Sequence, residues 1–283
     1  MQIETSRRRF LGAAAGIAGL SAIGVENASA VIEPEPGGIK LGVATYSLRS
    51  FDRPTAIEML KKLKVKYVSI KDIHLKIGEP AAATKAGRAE FDAAGFTVTS
   101  GGNVDMTKGT SVETLRPQFE YAKAAGLPMM VCAPTKENIK FVEALVKEYN
   151  IRIAIHNHGP EDKHFPTVQS VLEVVHGLDK RCGLCMDIGH TSRTGANIVT
   201  MAAEAGDRLF DMHFKDLSDP MNKDSQCDVG DGKLPIPALL KQLRKMGYQG
   251  CLNLEYEINA KDPLPGMQRS FSYVRGVLAG LTA

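Results

Sequence analysis

The 283-residue chain carries a net charge of +3, from Lys+Arg 35 against Asp+Glu 32. So near a balance leaves no electrostatic footprint for a nucleic-acid partner. The five cysteines, an odd number spread along the chain, do not form a disulfide framework. Without its first thirty residues the chain keeps about 250, the usual size of one α/β barrel.

The opening segment, TSRRRFLGAAAGIAGLSAIGVENASA, has a basic start, a weakly apolar Ala/Gly middle and a small-residue end. Arg7 and Arg8, followed by Phe10 and Leu11, match a twin-arginine export signal, with cleavage expected after Ala28-Ser29-Ala30. A retained signal anchor is the alternative, but a spanning helix needs a longer and more apolar run. The expected organisation is a signal peptide over 1–30, an extended lead-in over 31–39 and one barrel domain over 40–283. The expected location is the periplasm, with no stable membrane anchor after cleavage.

From Lys40 onward, short strand-like runs alternate with helix-like segments. The predicted strands cover 40–47, 65–72, 96–102, 128–134, 151–158, 183–190, 209–216 and 250–257. Predicted helices cover 54–63, which opens on Pro54, a favoured first helical residue, and 111–126, which ends on Gly126. Further helices are predicted over 136–150, where Ile139, Val142, Leu145 and Val146 fall at helical spacing, over 236–250 and over 267–280. Eight strands alternating with helices point to a parallel sheet, and eight is the number that closes an α/β (β/α)8 TIM barrel. The open doubly wound sheet is disfavoured because no GxGxxG follows the first strand. Cys182 and Cys185 lie in a strand-like run where residues three apart face opposite ways, so their CxxC is read as core rather than as a zinc or redox site.

In such a barrel the chemistry sits where the strands end. The run 65–72 ends in Lys71-Asp72 with His74 beyond, and 151–158 ends in His156-Asn157-His158. Asp187 and His190 close the run 183–190, and 209–216 ends in His213-Phe214-Lys215-Asp216. The last run, 250–257, ends in Glu255-Tyr256-Glu257. Alternation puts Asp211, His213 and Lys215 on one face and Phe210, Met212 and Phe214 on the other. Six of the seven histidines fall at or just after a predicted strand end; only His176 falls in a predicted helix. His156, Asp187, His213 and Glu255 come from four successive strands. Two imidazoles and two carboxylates suit one divalent ion, Mn, Zn, Co or Mg. A hydrogen-bonded polar cluster without metal is the alternative.

The segments IAIHNHG, MDIGHTSRTG, DMHFKD and VGDGKLPIPALLKQLRKMGYQGCLNLEYE resemble the xylose-isomerase-like TIM barrels, and more narrowly the sugar phosphate isomerase/epimerase superfamily. The resemblance implies one divalent metal held at strand ends by Glu, Asp, His and Glu. Asp187, His213 and Glu255 match three of these, while His156 stands where the family has its first Glu. It also implies that His190 contacts substrate. Arg193, Lys215, Glu257 and His74 are further candidates for substrate contact. The family's ketose epimerases use two metal-bound glutamates as a proton-transferring pair, and only Glu255 is present here. Lys71, desolvated beside a metal, or His158 is then the candidate second base, with His190 and Lys215 as competitors.

These readings imply a metal-dependent isomerase or epimerase acting on a small-molecule sugar or oxidised sugar derivative, without nucleic acid and possibly homo-oligomeric like its relatives. The alternatives are a metal-dependent lyase or hydrolase on a keto-sugar glycoside, a phosphodiesterase like endonuclease IV, and a non-catalytic periplasmic sugar-binding barrel.

Overall fold

The computed structural model describes residues 38–281. The expected signal peptide and nearly all of the lead-in lie outside the described residues. The strands of the barrel are β1 (Lys40–Ala44), β2 (Tyr67–Ile70), β3 (Thr97–Asp105), β4 (Met129–Ala133), β5 (Arg152–His156), β6 (Cys182–Asp187), β7 (Leu209–Phe214) and β10 (Cys251–Leu254). All neighbouring pairs are parallel, and the sheet closes in the order β1-β10-β7-β6-β5-β4-β3-β2. The (β/α)8 barrel expected from the alternation is therefore the fold. A two-residue hairpin, β8 (Asp216–Leu217) with β9 (Gln226–Cys227), follows β7. No helix among the described residues is long and apolar enough to cross a membrane.

The helices are α1 (Arg53–Lys62), α2 (Ala81–Ala93), α3 (Val112–Ala124), α4 (Ile139–Tyr149), α5 (Val168–Val175), α6 (Ile188–Arg193), α7 (Ile198–Ala205), α8 (Ile236–Lys245) and α9 (Leu264–Gly280). Local chemistry sets their starts. Asp52 accepts from the Thr55 N–H, and Ser111 and Thr167 each form reciprocal caps with Thr114 and Ser170. Helix α4 stops where Asn150 turns left-handed at φ 53°. The helices α2, α6 and α7 are additions to the sequence reading, and α5 is the helix expected around His176. His176 caps α5 rather than lying within it.

Most predicted strands run past the real ones. Residues Ile188–His190, expected at the end of a strand, form the first turn of α6 because Asp187 caps that helix. One face assignment also changes. The register slips between Leu184 and Cys185 on β6 against β7, so the strict alternation along β7 is broken at Phe210. Phe210 is not in the main core beneath the helices. It clusters with Met129, Val131, Ala154 and Cys185, lies against Gly183 and has the Arg152 guanidinium 3.8 Å above its ring. Met212 and Phe214 do join the main core. Cys182 and Cys185 fall in different clusters, as opposite faces require, and all five cysteines are free.

The Gly-Asp-Gly segment is explained by Asp216. Its buried carboxylate accepts backbone N–H bonds from Leu217, Gly230, Gly232 and Leu234, which fastens the loop before α8 to the end of β7. Replacing a buried acceptor of four donors leaves them unsatisfied. Asp216→Ala is expected to lower stability by about 3 kcal/mol, read as a lower urea midpoint at unchanged slope.

Candidate functional site

Asn157, the middle residue of His156-Asn157-His158, faces away from the barrel and is completely buried. Its Oδ1 accepts the Asp187 N–H at 3.0 Å and its Nδ2 donates to Thr191 Oγ1 at 3.1 Å. Thr191 in turn donates to the Asp187 carbonyl at 2.7 Å. This network locks the end of β5 to the start of α6. Asp187 Oδ1 accepts the His190 N–H at 2.8 Å, which leaves Oδ2 turned toward the cluster.

The four expected ligands do converge. His156, Asp187, His213 and Glu255 each offer a donor atom, and these atoms lie within 4.8 Å of one another. His156 Nε2 is 3.0 Å from His213 Nδ1 and 3.6 Å from Asp187 Oδ2, and His213 Nδ1 is 3.2 Å from Glu255 Oε2. Buried polar atoms normally find partners. Here Asp187 Oδ2, His156 Nδ1 and His213 Nε2 have no hydrogen-bond partner. A second grouping, not foreseen in the sequence, brings the Cys185 thiol together with His156 and His213. Burial pushes that thiol up to about 12, so in the absence of a metal it is a neutral neighbour rather than a thiolate ligand.

Lys215 sits among the acids. Its ammonium donates to Glu255 Oε2 at 2.8 Å and to Glu257 Oε2 at 2.7 Å, and stands 3.0 Å from Asp187 Oδ2 without hydrogen-bond geometry. The Lys215 side chain is 5% exposed. Gly189 makes room for it, since a Cβ there would meet Lys215 Cδ at 2.8 Å. Three carboxylates face one ammonium, and two of them, Asp187 and Glu255, are buried. That excess of carboxylates, the orphaned carboxylate oxygen and the two imidazoles fit a divalent cation.

The protonation states follow from the same contacts. Burial alone would neutralise Asp187 and Glu255. The neighbouring His190 ring and the Lys215 charge outweigh it at Asp187, and His213 and Lys215 at Glu255, so both carboxyls are held well below their ordinary range. Burial likewise works against the Lys215 charge, but Asp187, Glu255 and Glu257 together push its value up. Burial pulls His156 down to about 3 and His190 down to about 4, so both are neutral imidazoles at neutral pH.

Above the cluster the mouth opens into two adjoining hollows of about 320 and 400 Å³ that share His190, Arg193, Lys223, Asp224 and Glu257. His158, Glu161 and Asp162 line the second. The His158 side chain is half-exposed; its ring stands edge-on to His156 at 5.1 Å and to His190 at 4.8 Å. A larger hollow, of about 730 Å³, lies between α2 and α3 and contains none of the candidate residues.

Three sequence expectations change. His74 is not a mouth residue. It is 1% exposed, and its Nε2 contacts the Phe51 carbonyl at 3.1 Å in the packing beside α1. The Lys71 amine, a candidate second base, donates to the Asn103 carbonyl at 2.8 Å and pairs with the neighbouring Asp72 at 3.6 Å. Glu257 is already taken by Lys215, so Lys215 is a strut within the cluster before it is a substrate contact. Arg193 lines the mouth as expected, but its guanidinium is committed to both oxygens of Glu161, at 2.6 and 2.7 Å, so it is not a free anchor for an anionic group. Asn157 and Glu161 were missed because each acts on another side chain. Their only signal in the sequence is adjacency to the two histidines.

A closed parallel barrel with a His/Asp/His/Glu set at its strand ends defines a TIM-barrel protein with a candidate divalent-cation site. The chain belongs to the xylose isomerase-like TIM barrel family, whose model matches residues 57–276. It is 21% identical over 179 residues to inosose isomerase of Bacillus subtilis, a match covering 54% of this chain and 64% of that protein. The matches to curated relatives span between 38% and 64% of those relatives' lengths. Among solved structures, 3-keto-D-glucoside 4-epimerase of E. coli superposes with TM-score 0.65 at 16% identity, covering 84% of this chain and 99% of that one. The probable 3-DHS dehydratase of Bacillus anthracis superposes with TM-score 0.67 at 13% identity, covering 83% and 98%. At these identities the superpositions establish the shared fold.

Removing the Lys215 charge leaves Asp187 and Glu255 buried and uncompensated. Lys215→Met is expected to cost about 3–5 kcal/mol in metal-free protein. Added divalent ion is expected to restore more of the melting temperature in this variant than in the wild type, as differential scanning calorimetry would show.

Proposed function

We propose that this chain is a divalent-metal-dependent isomerase or epimerase acting on a sugar or oxidised sugar derivative, by removing and returning a proton next to a carbonyl. The observation that carries this reading is the convergence of His156, Asp187, His213 and Glu255 around an orphaned carboxylate oxygen, where three carboxylates face one ammonium. These four would hold the ion. When bound, Mn, Zn, Co or Mg supplies Lewis-acid polarisation of a substrate oxygen. The names of the relatives support a carbohydrate, since one is an inosose isomerase and another acts on a 3-keto-glucoside.

The chain's own residues divide the remaining work. Glu255 is ionised and faces the cluster, so it is the group to accept the proton alpha to the carbonyl. Lys215 fixes that carboxylate in place. His158, half-exposed at the mouth, is the candidate to return a proton from a different direction. His190 and Glu257 face the sugar from the cavity wall. Lys71, bonded to Asn103, is the weaker candidate for a second base.

One observation favours a second outcome. His156 stands where the family's pair of glutamates would have its other member, and a metal-bound imidazole is a poor base. With proton return hindered, the electron pair left on carbon can expel a substituent beta to the carbonyl, which makes the enzyme a lyase on a keto-sugar glycoside. Proton abstraction by Glu255 is common to both outcomes.

Export by the twin-arginine route to the periplasm is part of the proposal, supported by Arg7, Arg8 and the small-residue end of the first thirty residues. Cell fractionation, with the mature protein beginning at Val31, is the expected result.

Purified protein is expected to hold close to one divalent ion per chain, and Asp187→Asn to lose it, by elemental analysis. In D₂O, candidate keto-sugars are expected to gain deuterium next to the carbonyl. Glu255→Gln is expected to slow that exchange by about 10²–10⁴-fold while remaining folded. Absence of deuterium from every substrate tested would count against both outcomes.

A further inference from the structure

Arg193 Nη2 lies 2.9 Å from His190 Nδ1, while the same guanidinium is gripped by both oxygens of Glu161. A guanidinium has only N–H donors and keeps its charge at any pH a folded protein sees. The nitrogen it faces must therefore present a lone pair. A proton on His190 Nδ1 would point N–H at N–H and lose this bond.

The arrangement is built rather than incidental. The Arg193 side chain is 6% exposed, so its direction is set by packing. Gly159, the residue after the two strand-end histidines, lies against all three partners. A Cβ there would stand 2.4 Å from Arg193 Nη2, 3.1 Å from His190 Nδ1 and 3.2 Å from Glu161 Oε2. Its φ of +87° also favours glycine. Glu161 follows two residues later, so one short loop after β5 supplies both the clearance and the carboxylate that aims the arginine. The other ring nitrogen, Nε2, is 3.9 Å from Asp187 Oδ2, on the side of the candidate metal ligands.

We propose that Arg193 and Glu161 form a clamp over Gly159 that fixes His190 as the neutral tautomer protonated on Nε2, so that His190 presents an N–H donor to a substrate oxygen and is not the base. Arg193 is a positioning residue in this scheme. The donor role rests on the reading of the mouth as the carbohydrate site; the tautomer does not. Exposed His158, one strand over, has no such clamp; its nearest carboxylate oxygen, on Asp162, is 3.7 Å away.

The test is long-range ¹H–¹⁵N correlation spectroscopy on the full chain as purified, labelled with ¹⁵N-histidine and with magnesium as the only divalent ion. The His190 signals are identified by their loss in His190→Asn. Wild type is expected to show a single tautomer, with the proton on Nε2 and an acceptor-type Nδ1, across about pH 6–8. Arg193→Met is expected to give averaged tautomers. Should that variant not fold, Glu161→Ala, at a side chain 58% exposed, releases the arginine instead and is expected to do the same. A wild-type proton on Nδ1, averaged tautomers in wild type, or a wild-type pattern in either folded variant would overturn the clamp. For the donor role, His190→Gln keeps an N–H donor but cannot take up a proton. It is expected to slow deuterium exchange by up to about tenfold, whereas a loss of about 10²–10⁴-fold, the size of a general-base contribution, would overturn that role. No exchange in the wild type together with the fixed tautomer would remove the proposed reaction and leave the clamp standing.

Discussion

The Lys215 ammonium binds carboxylates from two sides of the barrel rim, Asp187 at the end of β6 and Glu255 and Glu257 just past β10. Much else follows from that placement. Two of those acids are buried, and buried like charges from different strands repel unless something positive stands between them. Lys215 partly relieves that repulsion, and the small residue at position 189 exists to let its stem through. Yet one ammonium cannot balance three carboxylates. The rim is thus a place that is stable enough to fold and still short of positive charge, which is the electrostatic condition for a site that takes up a dication.

Rigidity for this site comes from the outward-facing side chains. Asn157 bridges β5 to α6 from behind, and Asp216 ties the loop before α8 to the end of β7. Gln226 of β9 donates to the Glu255 carbonyl and accepts the Glu257 N–H. These bonds hold the backbone of three rim segments, so the inward side chains need not spend their own hydrogen bonds on position. That division explains how Asp187 Oδ2 and two imidazole nitrogens stay without partners in a well-packed interior.

The barrel was legible because eight apolar runs alternated with amphipathic ones, and the converging candidate ligands because four strand ends each finished in a ligand-type residue. Both are period-based signals, and period survives in a single sequence. What was not legible depends on local departures from period. Phe210 changed faces through a register slip that no spacing announces. His74 looked like a rim residue because it follows a strand end, but the chain turns there and buries it against Phe51. Arg193 looked free because its partner, Glu161, lies 32 positions earlier and reaches it only through the fold.

The His156-Asn157-His158-Gly159 segment shows how far two identical side chains are separated by their surroundings. His156 is buried beside His213 and Asp187, where burial holds it neutral and its Nε2 faces the other candidate ligands. His158 is half in solvent, against the rings of both His156 and His190. Gly159 then removes its own side chain from the path of a third histidine's partner. A family glutamate at position 156 would add a third buried negative charge beside Asp187 and Glu255. On the proposed reading, histidine there leaves Glu255 as the one carboxylate of the family's glutamate pair. On that reading, a lower buried charge and two-base chemistry oppose each other at this position.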